Sequence, residues 1–197
     1  ESVIHSMIQD EQGFIWLGTG FGLNRFDGVV FKKWYEEDGL PNNRVNALKE
    51  AESGRLWIGT DAGFAYLEND SIYTPDVFEP IRESVVLSVY EDTGGAIWVA
   101  TEGDGLWRYD PNGDFANIST HFGYEDLMAR SVIEGEEGTI WIGTEEGLFS
   151  YDGSFFKKYL HTEDGVPEVP VNEMKLDDNG NLWMATGGGL ITFDGEE

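Results

Sequence analysis

The sequence predicts an all-β fold, a β-propeller of five four-stranded blade repeats with the last blade lacking its outer strand. Three observations predict it. Tryptophans recur at Trp16, Trp57, Trp98, Trp141 and Trp183, with gaps of 41, 41, 43 and 42 residues. Each sits in one phrase: GFIWLGT, GRLWIGT, GAIWVAT, GTIWIGT and GNLWMAT. Between the phrases run short apolar segments punctuated by Gly, Asn and Asp, and a period near 42 residues on such a pattern is that of blades with about four strands each.

The second unit shows the elements in order. Val45 to Glu50 reads as a first strand and Ala51 to Gly54 as a turn. Arg55 to Thr60 is the tryptophan strand, Asp61 to Gly63 a second turn, and Phe64 to Glu68 a third strand. Asn69-Asp70 turns the chain into a fourth strand, Ser71 to Thr74. Four short strands joined by tight turns make an antiparallel meander. Three residues before each Trp stands Gly13, Gly54, Gly95, Gly138 or Gly180, a position that predicts left-handed backbone. Asp27-Gly28, Asp152-Gly153 and Asp194-Gly195 read as hairpin turns with positive φ at both residues. Asn69-Asp70 and Pro111-Asn112-Gly113 fill the same place in other units.

Both recurring columns read as structural. A blade buries both faces, so a large ring every 42 residues fills the gap between neighbours. Thr19, Thr60, Thr101, Thr144 and Thr186 end the tryptophan strands, where a hydroxyl can bond the next turn. A catalytic threonine needs a base at fixed distance, and no such partner recurs.

The 197 residues suit a single domain, 1–197, with blades at about 1–42, 43–80, 81–123, 124–170 and 171–197. The fifth unit stops after its third strand, and the chain opens directly in the first strand at Ser2-Val3-Ile4, leaving nothing to lend. A closed five-bladed ring is the first expectation. Two chains sharing one larger ring is the second, and a piece of a longer propeller overlaps with both. An open arc would expose apolar faces, which Glu196-Glu197 would blunt only modestly.

Composition excludes several classes. A formal net charge of −26 speaks against nucleic acid or an anionic membrane surface as partner. The basic doublets Lys32-Lys33 and Lys157-Lys158 both lie beside acids. Cysteine is absent, so disulfides and thiolate metal sites are too. No apolar run is long enough to span a bilayer, and no signal peptide is visible.

The stretch from Gly22 to Thr60, GLNRFDGVVFKKWYEEDGLPNNRVNALKEAESGRLWIGT, resembles the two-component regulator propeller repeat, and the resemblance recurs five times along the chain. Departures occur in unit two (Phe64 to Glu68), in unit three (the Gly103-Asp104 insertion) and at Gly135, where Asp is usual. The resemblance implies an extracytoplasmic sensor region of bacterial hybrid histidine kinases, periplasmic or extracellular. Members of that family typically carry two seven-bladed propellers, a small β-sandwich, a membrane span and a kinase, and commonly sense oligosaccharides. The segment has no kinase motif, so signalling would need other parts.

Connections between blades and the turns after each threonine share one face, where a ligand is expected at the mouth of the central channel. Longer connections run from Glu36 to Asn42, Pro75 to Arg82, His121 to Met128 and His161 to Val169. Eleven residues before each Trp comes a variable column, His5, Asn46, Leu87, Arg130 and Asn172, whose polar members are candidate ligand contacts. Phe21, Asp61, Asp104 and Tyr124 from the loops complete the candidate set, while Glu145 and Glu146 stand beside it. The bland alternative is that these groups hold water and backbone. Trp34, Tyr35, Trp107 and Phe122 could stack on sugar rings, although blade packing suits Trp34 and Trp107 better. Asp177-Asp178-Asn179-Gly180 has a calcium-loop flavour without the closing glutamate and reads as a hairpin turn. No metal or cofactor is expected.

Function therefore reads as a non-catalytic sensor or binding module for a carbohydrate or other small ligand. The first alternative is a propeller hydrolase or lyase on carbohydrate or cyclic ester. It finds little support, because His5, His121 and His161 are scattered without recurring partners. A second alternative is a blade array that assembles with another copy, a homodimer completing a larger ring.

Overall fold

The computed structural model describes residues 3–159 and 169–194. The expected connection at His161 to Val169, except Val169 itself, lies outside the described residues, as do Ser2 and Gly195 to Glu197. Among the described residues, nineteen strands form five antiparallel sheets, each a meander in chain order. Sheet one holds β1 (Ile4–Gln9), β2 (Ile15–Thr19), β3 (Gly22–Phe26) and β4 (Phe31–Trp34). Sheet two holds β5 (Val45–Glu50), β6 (Leu56–Thr60), β7 (Gly63–Glu68) and β8 (Ser71–Tyr73). Sheet three holds β9 (Val86–Glu91), β10 (Ile97–Thr101), β11 (Leu106–Tyr109) and β12 (Phe115–Asn117). Sheet four holds β13 (Ala129–Glu134), β14 (Ile140–Thr144), β15 (Gly147–Tyr151) and β16 (Phe156–Lys158). Sheet five has three strands, β17 (Val171–Leu176), β18 (Leu182–Thr186) and β19 (Gly189–Phe193).

First strands pack in series, β1 on β5, β5 on β9, β9 on β13 and β13 on β17. Each second strand leans on the next first strand, β2 on β5, β6 on β9, β10 on β13 and β14 on β17. Four apolar clusters fill these contacts. Trp16 meets Val45 and Ile58, and Trp57 meets Val86 and Val99. Trp98 meets Ala129 and Ile142, and Trp141 meets Val171 and Met184. An indole thus wedges each sheet against its successor, as its period predicts. At about 25 cal/mol per Å² and ~150–250 Å² per ring, each wedge contributes roughly 4–6 kcal/mol of gross apolar burial.

The fifth indole departs from this rule. The first four tryptophans are 2–9% exposed, but Trp183 is 41% exposed. Leu190 on the same sheet is exposed, and so are Ile4 and Met7 on β1 at the other end of the series. No packing of β17 on β1 matches that of the four neighbouring pairs. The five sheets therefore form an open arc rather than the closed five-bladed ring expected first.

The turns follow the residue chemistry with one correction. All five glycines before the tryptophans have φ between 77° and 88°, the left-handed backbone that a Cβ would strain. Asn69 and Asp70 both have positive φ. At Asp27-Gly28 and Asp152-Gly153 only the glycine does. There the aspartate works through its carboxylate, Asp27 accepting from the Val29 and Val30 N–H groups and Asp152 from Ser154 and Phe155. The threonines behave as read. Thr19, Thr60, Thr101, Thr144 and Thr186 donate to the carbonyls of Gly22, Gly63, Gly105, Gly147 and Gly189.

Candidate functional site

The five first strands share an irregularity that aims side chains at the axis. In sheet one Ile4 pairs with Thr19 and Ser6 with Gly18, so His5 is passed over. The same skip falls on Asn46, Leu87, Arg130 and Asn172 in the other sheets. An extra residue in one strand of an antiparallel pair bends the strand and redirects its side chain. The variable column seen in the sequence is thus the set of bulge residues. All five line one cavity of about 500 Å³, together with Arg44, Glu173 and Lys175.

Two members of the column are already engaged. The Asn46 amide donates to Asp61 at 2.8 Å and to the Val86 carbonyl at 3.2 Å. Arg130 Nε donates to the Glu145 carboxylate at 2.9 Å, and its Nη2 joins the same oxygen. Asp61 and Glu145 each follow a strand-ending threonine, so the turn of a sheet holds that sheet's own bulge residue. Arg44 also pairs with Asp61, at 3.5 Å. Among the described residues, the His5 and Asn172 side chains form no hydrogen bond, and the two lie on the sheets at the ends of the arc. Glu173 is exposed but lines the same cavity, where partial desolvation pushes its carboxyl up, against the opposing charge of Lys175. The arrangement presents two uncommitted polar groups, two held ion pairs and one carboxyl pushed up by partial desolvation, a set that suits hydrogen bonding to a polar ligand.

Three sequence candidates are not brought to this cavity. Phe21 is exposed beside Ile4, Phe31 and Tyr35 in a shallow recess of about 280 Å³ on sheet one. Phe21 is no part of the lining of the axial cavity. Asp104 serves its own loop through its backbone carbonyl, which accepts from Trp107 Nε1 at 2.7 Å and from Asn117 at 2.9 Å. Tyr124 packs edge-on to Phe149 at 5.1 Å and beside Phe156, because its connection folds back over sheet four. Asp61 reaches the site through Asn46 and Arg44. Of the aromatic candidates, Trp34 is buried against Trp16 at 5.3 Å, and Trp107 stacks on Phe115 at 4.8 Å. Phe122 stacks on Phe156 at 5.6 Å. Apolar packing takes all three.

Sequence reasoning missed two columns of hydrogen bonds in the frame. Asp10, Asp92 and Asp177 stand six residues before their tryptophans and accept the indole Nε1 at 2.7, 2.8 and 3.1 Å. Glu50, Glu91 and Glu134 end the first strands and accept turn N–H groups of the preceding sheet, from Glu11, Glu52 and Thr93. Both columns were visible as spacings. Asp177 explains the calcium-like segment, since it accepts from Asn179, Asn181 and Trp183 within a hairpin turn.

Among the described residues no helix is long and apolar enough to cross a membrane. A family model described as two component regulator propeller matches residues 1–21 and 39–62. A histidine kinase P4 of Formosa agariphila is 31% identical over 168 residues, covering 77% of this chain and 12% of the relative. The extracellular domain of a hybrid two component system of B. thetaiotaomicron superposes with a TM-score of 0.84 at 24% identity, over 98% of this chain and 28% of that one. A catalytically inactive virginiamycin B lyase of Staphylococcus aureus gives 0.74 at 13% identity, over 98% and 70%. The chain thus spans 12% of the curated relative and under a third of the sensor domain. The matched repeats and the shared fold agree: residues 1–21 and 39–62 match the two-component regulator propeller repeat, and the five sheets share the fold of a hybrid two component system's extracellular domain.

Proposed function

We propose that the chain is a non-catalytic sensor module, lying outside the cytoplasm, that binds a carbohydrate or another small polar ligand at the axial cavity. One observation carries the reading: all five first strands bulge at the same position, and the bulges turn a polar set, His5, Asn46, Arg130 and Asn172, into one space. Bulges of this kind re-aim side chains next to binding sites. Likeness to the extracellular domain of a hybrid two component system and to a histidine kinase supports the sensory role. The net charge of −26 makes a neutral sugar a better ligand than a polyanion. A thermal-shift screen against neutral oligosaccharides tests the reading, because a ligand selective for the folded state raises the melting midpoint. The reading requires a shift that Asn172→Ala abolishes; sugars that never shift the midpoint would overturn it.

The likeness to a lyase favours a second, enzymatic reading, with Glu173, whose carboxyl is pushed up at the cavity, as the group on which it would turn. Turnover of a cyclic ester that disappears in Glu173→Gln would favour that reading.

A further inference from the structure

The axial cavity reverses the sign of the chain around it. The sequence holds 38 aspartates and glutamates against 12 lysines and arginines. Yet Arg44, Arg130 and Lys175 line the cavity against a single carboxylate, Glu173. Those cations come from three sheets, Arg44 at the entry to β5, Arg130 on β13 and Lys175 on β17. A fourth, Lys49 on β5, lies 5.6 Å from the ring of Tyr90, which is itself part of the lining. The groove between sheets one and two, about 650 Å³ in volume, shows the opposite balance, with Asp10, Glu50, Glu68 and Asp70 against Arg25. The positive lining is therefore local to the axis.

The cations keep donors free for a ligand. Glu145 engages Arg130 through one carboxylate oxygen, which takes Nε and Nη2 and leaves Nη1 without a hydrogen bond among the described residues. Asp61 approaches Arg44 at Nε, 3.5 Å away. The Lys175 ammonium makes no hydrogen bond or ion pair among the described residues, although Glu173 is near enough to feel its charge. A guanidinium edge matches a planar carboxylate, and an ammonium adds a compact point charge. Cleft walls of low dielectric focus such charges on whatever enters.

We propose that the ligand of the axial cavity carries one carboxylate, as a sugar acid does, held by Arg130 and Lys175 of the adjacent sheets four and five, with its hydroxyls on His5 and Asn172. This ligand class rests on the sensor reading above and narrows it. Arg44 adds attraction from sheet two. The net charge of −26 repels a polyanion at long range, and Glu173 opposes a second anionic group inside the cavity. A single carboxylate meets three cations and one acid there.

Isothermal titration of the 197-residue chain with matched disaccharides provides the test. The probes are glucose-, galactose- and mannose-based pairs, each as the neutral hexose form and as the form with one carboxylate at C6. In at least one pair the acid is expected to bind about tenfold or more tighter than its neutral match, the worth of one hydrogen bond to a charged group. Lys175→Met should cut that preference to about threefold or less, and an unchanged melting midpoint would show that this exposed position leaves the fold intact. Glu173→Gln should widen the preference. Neutral matches that bind as tightly as their acids would overturn the sugar-acid class and leave the sensor reading standing. An acid preference that Lys175→Met and Arg130→Gln both leave intact would do the same. Binding by neither member of any pair would overturn both.

Discussion

The Nε1 of Trp57 is buried without a hydrogen-bond partner, and Ala51 occupies the position from which Asp92 accepts the indole of Trp98. Trp57 compensates by ring contacts with Phe64, Tyr66, Phe78 and Tyr109, whose centroids lie 5.1–6.2 Å away. Those contacts do not satisfy its N–H. An unpaired buried donor costs about 1–3 kcal/mol, and a made bond returns about 0.5–1.5. Ala51→Asp is therefore expected to raise the melting midpoint by roughly 2–4 °C per kcal/mol gained. Asp92→Ala should lower it by removing the acceptor of Trp98. Thermal unfolding of both variants checks the pair, and a midpoint that drops in Ala51→Asp would refute the first expectation.

Gly59 and Val86 couple across the contact between sheets two and three. Gly59→Ala places a Cβ 2.5 Å from Val86 Cγ1 and should destabilise by about 1–3 kcal/mol through overpacking. Val86→Ala alone leaves a void. The double variant reproduces the Ala100–Ala129 pair and should be more stable than the two single losses sum to, with a coupling of about 0.5–3 kcal/mol in a double-mutant cycle. Additive losses would show that the size pairing is coincidental.

Acid should expose the aspartate turns. The Asn181 amide first, and the Trp183 indole next, hold the Asp177 carboxyl down to about 2 from its usual 3.8. Backbone N–H groups hold Asp27 and Asp152 low, and Lys32 holds Asp70 low. A carboxyl depressed in the folded state stabilises above its unfolded pKa, and that contribution fades as pH falls through the folded value. Stability should thus decline from about pH 4 towards pH 2, with a flatter profile for Asp177→Asn, as measured by denaturant titration at each pH.

Glu173 has the opposite sign. Its carboxyl is pushed up by withdrawal from water, so ionising it disfavours the folded state as pH rises through its folded value. Glu173→Gln is expected to stabilise the chain at neutral pH and to leave stability unchanged at low pH, where both side chains are neutral. A loss at neutral pH would mean that the ionised carboxylate holds a structural contact.

Arg130 separates binding from folding. Its pair with Glu145 is partly exposed, at 31% and 42%, and such pairs contribute about 0–1 kcal/mol. Arg130→Ala should leave the melting midpoint nearly unchanged while weakening any ligand that lies across the cavity. Isothermal titration with a sugar found in the screen measures this directly.

Much of the frame was legible in residue spacing. The glycine turns, the threonine bonds and four of the five wedges followed from columns that repeat every 42 residues or so, because each is enforced within a unit or between adjacent units. The candidate column of His5, Asn46, Arg130 and Asn172 was legible as variability at a fixed offset. Its cause was not, since a bulge shows only in the pairing register. Phe21, Asp104 and Tyr124 lie away from the axial cavity, because loop side chains take their direction from whichever surface they find.

The sequence by itself determined the local units: where strands turn, which ring each sheet offers its successor, and which offset faces the axis. These depend on neighbours close along the chain and on a period that successive repeats reveal. The tertiary structure alone decided that the arc stays open, with Trp183 exposed and Ala185 facing no sheet. Closure depends on whether two surfaces far apart in the chain, those of β1 and of sheet five, meet in space. No periodicity encodes that fit, because it is a property of two end units meeting in space.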